Sequence, residues 1–256
     1  MTRPVAFAAA AAVLTLGAAP LAPVADPSLA HPVATRLTGY LRPDALDGKT
    51  ILGPPPAIDS PEDKADRAAY QATRALEGSP RWKQAQQDND LWTGGAQRRL
   101  TCAMGRDLAA RSLAGTRRLL HRVELDVHTV GTPPKDFYGR LRPPIGDSQP
   151  LCVPRGPWLQ TNASYPSGHA MTGWAWALIL AEIAPAKASA LMVAGREIGQ
   201  SRVVCGVHFP SDVAAGRDLG AAMVARLHAD RAFQADLRAA KLELAKAPQP
   251  RDCPSA

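Results

Sequence analysis

No stretch of this chain holds the roughly 20 consecutive apolar residues that a membrane span requires, which argues against stable membrane insertion. Its two apolar runs, 5–16 and 171–183, are both shorter than that. Strand-like alternation is scarce and internal repeats are absent, so neither a β-sandwich nor a solenoid is indicated. No CxxC pair occurs, which argues against a zinc cluster. The formal net charge is +7, yet the basic residues are scattered rather than blocked, which argues against a nucleic-acid polymer as partner. Charged residues make up only 21% of the chain and apolar runs are frequent, so the whole is not disordered. With 256 residues there is enough chain for one well-filled core.

The N-terminus has the layout of a secretory signal. Arg3 precedes the apolar run Val5 to Leu16, and small residues follow, with cleavage open after Ala19, Ala22 or Ala25. Residues 1–25 are therefore expected to be removed and the protein to be periplasmic or secreted. An exported chain with four cysteines points to two disulfides and three pairings. The pairing preferred here is Cys152 with Cys205 and Cys102 with Cys253, against the alternative of buried free thiols.

Residues 26–58 are rich in Pro and Gly and read as an irregular arm. Ser60-Pro61-Glu62-Asp63 is a helix start with a capping pattern, predicting helix to about Leu76. Further helices are expected over 96–113, 116–127, 186–204, 211–228 and 231–245. The stretch 171–183 is the buried central helix. Six prolines between Gly131 and Ala163, with Pro157 as a seventh, predict a long loop there. The expected architecture is an all-α domain over 59–247 with a flexible tail over 248–256.

Three blocks carry chemistry. They are Lys135-Asp136-Phe137-Tyr138-Gly139-Arg140-Leu141-Arg142-Pro143, then Tyr165-Pro166-Ser167-Gly168-His169, then the run from Ser201 to Asp212. Lys135, Arg142 and Arg202 supply cations suited to a phosphate dianion. Ser167 offers a hydroxyl, and Gly168 lets a backbone N–H approach where a helix begins. His208 and Asp212 are four apart, so a turn or helix places them on one side, where the carboxylate can hold one ring nitrogen as N–H. Taken singly each piece is ordinary: a turn, a solvated loop face, a structural histidine. Arg140 is expected on such a solvated face.

Together the blocks match KxxxxxxRP, PSGH and SRxxxxxHxxxD at every defined position and in order. This resembles the phosphatidic-acid-phosphatase type 2 superfamily and, within it, the class A bacterial nonspecific acid phosphatases, over about residues 60–245. The resemblance implies a helical bundle of the acid phosphatase/vanadium-dependent haloperoxidase type with its site in loops at one end. It implies a phosphatase of phosphomonoesters with His208 as nucleophile, Asp212 orienting it and His169 as acid and then base. Lys135, Arg142, Ser167, Gly168 and Arg202 would hold the phosphoryl oxygens, without metal or other cofactor. Glu124 stands where these enzymes carry an acidic pocket residue, with Asp126 as its rival. The chain departs from the class at Asp126 to Gly131, at Asn162-Ala163, at Pro144 and at Phe209-Pro210, which bears on substrate preference. Phosphotransfer to alcohols and a homo-oligomer are left open. The competing readings are a vanadium-dependent haloperoxidase, a lipid phosphate phosphatase and a non-catalytic periplasmic phosphate-binding protein.

Overall fold

The computed structural model describes residues 37–253. The expected signal segment, the first part of the arm and the last three residues lie outside that range. The described chain is all-helical: α1 (Gly48–Leu52), α2 (Pro61–Arg74), α3 (Pro80–Asp88), α4 (Ala96–Met104), α5 (Ala114–Tyr138), α6 (Trp158–Thr161), α7 (Gly168–Ile183), a 3₁₀ turn (Pro185–Lys187), α8 (Ala188–Val204), α9 (Pro210–Leu227) and α10 (Arg231–Ala245). Among the described residues there is no strand, and no helix is long and apolar enough to cross a membrane.

Helix α7 is apolar on all sides because neighbours cover all of its sides. It packs chiefly on α8 and α9, and also on α5. Trp176 is fully buried and donates its indole N–H to the Leu120 carbonyl of α5 at 2.9 Å. The approach of α7 and α8 depends on small residues. A Cβ on Gly195 would stand 2.5 Å from the Ala177 Cβ and 2.8 Å from the Gly173 carbonyl. At the other contact, a Cβ on Gly216 of α9 would stand 2.4 Å from the Ser167 carbonyl. The three helices run antiparallel in turn, so the start of α7, the end of α8 and the start of α9 meet at one end of the bundle. The end of α5 joins them there.

Several boundaries differ from expectation. The predicted helix over 96–113 stops at Met104, where Gly105 takes a left-handed conformation (φ 67°) and closes the turn. The following helix starts before Gly115 and runs on through Pro133 and Pro134 to Tyr138. Two prolines remove two N–H donors, yet the helix survives because its inner face stays buried at Val127, Val130, Gly131, Pro134 and Lys135. The expected loop therefore begins at Gly139, not Gly131. The N-terminus of α5 lacks a cap of its own. Instead the Glu243 carboxylate of α10 accepts from the backbone N–H of Gly115 (3.0 Å) and Thr116 (2.7 Å). Helix α3, not expected, opens with the same Ser-Pro device as α2, Ser79 accepting from the Trp82 N–H at 3.2 Å.

The arm is docked over residues 37–47 by Asp126, whose carboxylate accepts from the N–H of Tyr40 and of Leu41, each at 2.8 Å. Cys102 is bonded to Cys253, with Cα atoms 5.4 Å apart, tying the chain end to α4. Cys152 is bonded to Cys205, which ties the 143–157 loop to the end of α8.

Candidate active site

The site forms where helix ends converge. After α8 the chain turns sharply at Gly206 (φ 76°), with the Val207 N–H donating to the Arg202 carbonyl at 3.1 Å. Arg74 braces this turn through the Val204 carbonyl at 2.5 Å. His208 follows, and α9 begins two residues later. Asp212 sits in the first turn of α9, its Oδ2 accepting from the Phe209 N–H at 2.8 Å.

His208 is buried, with its two ring nitrogens in opposite surroundings. Nε2 lies 3.1 Å from Nη1 of Arg142. A guanidinium can only donate, so this nitrogen presents a lone pair. Nδ1 lies 3.3 Å from Ser164 Oγ and 3.5 Å from Asp212 Oδ2. Ser164 in turn donates to that same carboxylate oxygen at 2.6 Å. The hydrogen therefore resides on Nδ1. Burial first, then the charges of Arg142, Lys135, Arg202 and His169, push the His208 pKa well below its ordinary value. Both effects favour the neutral ring.

Each of those side chains is held from behind. Arg142 donates to the Asn162 carbonyl (2.8 Å), the Asn162 Oδ1 (2.9 Å) and the Val207 carbonyl (2.9 Å), and stacks on Trp158. Lys135 donates to the Ala163 carbonyl at 2.7 Å. Arg202 donates to Asn89 Oδ1. The Asn89 carbonyl lies 3.1 Å from His169 Nε2, which as partner of a carbonyl carries its hydrogen there. Ser167 caps α7, accepting from the Ala170 N–H, and Gly168 is the first residue of that helix, whose N-terminal end carries the positive pole of its dipole. The Ser167 N–H itself donates to the Asp212 carbonyl at 2.9 Å, locking the α7 start to α9. Beside Lys135 opens a cavity of about 390 Å³, lined also by Gly139, Leu141, Leu159 and Asn162.

Residues 125–234 match the PAP2 superfamily. The chain is 38% identical over 203 residues to an acid phosphatase of Zymomonas mobilis, covering 78% of this chain and 76% of that one. It is 37% identical over 204 residues to a non-specific acid phosphatase of Providencia stuartii, covering 79% and 82%. This chain belongs to the bacterial non-specific acid phosphatases. A solved bacterial vanadium-dependent iodoperoxidase shares the fold at 21% identity and a TM-score of 0.52, over 72% of this chain and 54% of that one.

In this acid phosphatase the structure also gives roles to residues to which the sequence assigned none. Ser164, Asn162 and Asn89 hold the histidines and arginines through oxygen acceptors drawn from loops and a helix end. Of these only Asn162 was marked beforehand, as a departure from the class pattern. Arg140, expected on a solvated face, is instead buried and bonded to Asp212 Oδ1 at 2.7 Å. The reason is the acidic side of α2, which packs over it.

Glu124 is buried and accepts from the Trp92 indole N–H at 2.8 Å, and His121 stacks on Trp92 with ring centroids 3.6 Å apart. Trp92 lies three residues after Asn89, so this contact links Glu124 to the segment that holds His169 and Arg202. Asp126 faces the other way and holds the arm. Among the described residues no group of three His, Cys, Asp or Glu side chains is placed to hold a metal ion.

Proposed function

We propose that this acid phosphatase cleaves phosphomonoesters through a phosphohistidine on Nε2 of His208. The Nε2 lone pair attacks phosphorus while the bond to the ester oxygen breaks. His169 gives a proton to the departing alkoxide, then takes one from water as the water oxygen attacks phosphorus; the N–P bond breaks, its electron pair returns to Nε2, and phosphate leaves. Asp212 and Ser164 stabilise the Nδ1–H of His208 as the ring becomes cationic. Lys135, Arg142, Arg202, the Ser167 hydroxyl and the backbone around Gly168 offset the charge on the equatorial oxygens. An alcohol in place of water would give phosphotransfer by the same second step.

The observation that carries this reading is His208 with Nε2 against Arg142 and Nδ1 against Ser164 and Asp212. Low pH ordinarily protonates imidazole, and here three fixed cations and burial oppose that. The N-terminal apolar run and the two disulfides support a place outside the cytoplasm.

The test is kinetic. His208→Ala is expected to lower kcat on para-nitrophenyl phosphate by about 10³-fold or more. Vanadate, which adopts five-coordinate geometry, is expected to inhibit the wild type competitively. A His208→Ala enzyme within tenfold of wild type would contradict the assignment. Halide oxidation by the vanadate-loaded protein with peroxide would favour the haloperoxidase reading instead.

A further inference from the structure

A buried ionic fork stands behind the nucleophile and takes no part in the steps above. Arg140 Nη1 donates to Asp212 Oδ1 at 2.7 Å and to Ser211 Oγ at 2.6 Å. Its Nη2 donates to Asp66 Oδ2 at 2.9 Å and lies 3.6 Å from Asp63 Oδ1. The guanidinium rests on the Phe209 ring, 4.4 Å from its centroid. Asp66 also accepts from the Ser211 N–H at 3.0 Å and from the Ser211 hydroxyl. Burial works against the Arg140 charge, but the Asp212 and Asp66 carboxylates push its pKa up.

The backbone of Arg140 contributes too. Its carbonyl accepts from the Ser164 N–H at 2.7 Å. One residue therefore fixes both partners of His208 Nδ1: the carboxylate through its side chain, the hydroxyl through its main chain. The division of labour on Asp212 is clean. Oδ1 is taken by Arg140, and this leaves Oδ2 turned toward Ser164, the Phe209 N–H and His208.

We propose that Arg140, clamped by Asp66, is a positioning residue that sets the rotation of the Asp212 carboxylate and thereby holds His208 in the Nδ1–H tautomer. The proposal rests on the phosphohistidine reading above. Arg140 makes none of the contacts ascribed to substrate there, so it acts on kcat and not on substrate binding. A lysine preserves the charge but cannot bridge two carboxylates with one planar group.

The experiment compares Arg140→Lys and Asp66→Asn, with Arg118→Ala as a control that breaks a half-exposed ion pair between α5 and α10 that shares no residue with the fork. Three quantities are read: kcat and KM on para-nitrophenyl phosphate, thermal unfolding, and the ¹⁵N side-chain shifts of His208 in the free enzyme. Arg140→Lys is expected to lower kcat about 10²-fold, the scale of a small misplacement of a reacting group, with KM within about twofold. Asp66→Asn is expected to lower it about tenfold. In both, the ¹⁵N shifts of His208 move from one fixed tautomer toward a mixture, and Arg118→Ala leaves all of this unchanged. Should Arg140→Lys fail to fold, Asp66→Asn decides. Wild-type tautomer in the folded variants overturns the proposal, as does a kcat loss no larger than that of Arg118→Ala at matched stability. A shifted tautomer with undiminished kcat upholds the positioning role and instead contradicts the phosphohistidine reading.

Discussion

His208 shows how one residue is given a task by its two sides. Arg142 fixes which nitrogen carries the lone pair, and Ser164 with Asp212 fixes which carries the hydrogen. The three motif blocks announced these side chains as chemistry, because cations, imidazoles and a carboxylate at those spacings are rarely coincidental. The residues that aim them had no such role in the sequence reading, where Asn162 stood out only as a departure from the class. Asn89, Asn162 and Ser164 are common polar residues whose role exists only once distant segments meet. Arg140 was misplaced for a physical reason: a charged residue in a proline-rich stretch reads as solvated unless its carboxylate partners, 74 and 72 positions away, are known.

A stability consequence follows from the neutral ring. The folded His208 pKa is depressed, so below pH 6.5 the unfolded chain binds a proton that the folded one refuses. This group's contribution is fully present above 6.5 and is lost as pH falls below it, by up to about 1.4 kcal/mol per pH unit. Urea unfolding at pH 7, 6 and 5 is expected to show wild type losing stability faster than His208→Gln. Parallel losses would contradict the neutral assignment.

At the scale of elements, helices with their own start signals were legible. Ser60-Pro61 opens α2, and the apolar run of α7, too short to span a membrane, read as a buried helix. What could not be read was the survival of α5 through Pro133 and Pro134, since proline is a local breaker and the burial that overrides it is tertiary. Nor could the cap of α5 be foreseen, because Glu243 comes from the last helix. The close approach of α7 and α8 carries a prediction. Gly195→Ala places a methyl 2.5 Å from the Ala177 Cβ and 2.8 Å from a backbone oxygen, so the helices must part. The expected cost is about 1–3 kcal/mol by thermal or urea unfolding, with a fall in kcat because these helices carry His169 and Arg202. Unchanged stability would show that the pair can relax freely.

For the whole molecule, the antiparallel order of α7, α8 and α9 gathers two helix starts and one helix end at a single pole, joined there by the end of α5. The positive N-terminal poles of α7 and α9 and the three cations share that end, which suits an anion. The Cys152–Cys205 bond ties the proline-rich loop to the turn before His208, and the Cys102–Cys253 bond anchors the chain end at α4, on a different part of the bundle. The central claim is that this pole makes a covalent bond to phosphorus. Rapid quenching into alkali during turnover of ³²P-labelled para-nitrophenyl phosphate, followed by peptide mapping, tests it most directly. The account predicts acid-labile, alkali-stable label on the peptide bearing His208. Label on His169, or turnover at the wild-type rate with no labelled protein at any quench time, would contradict it.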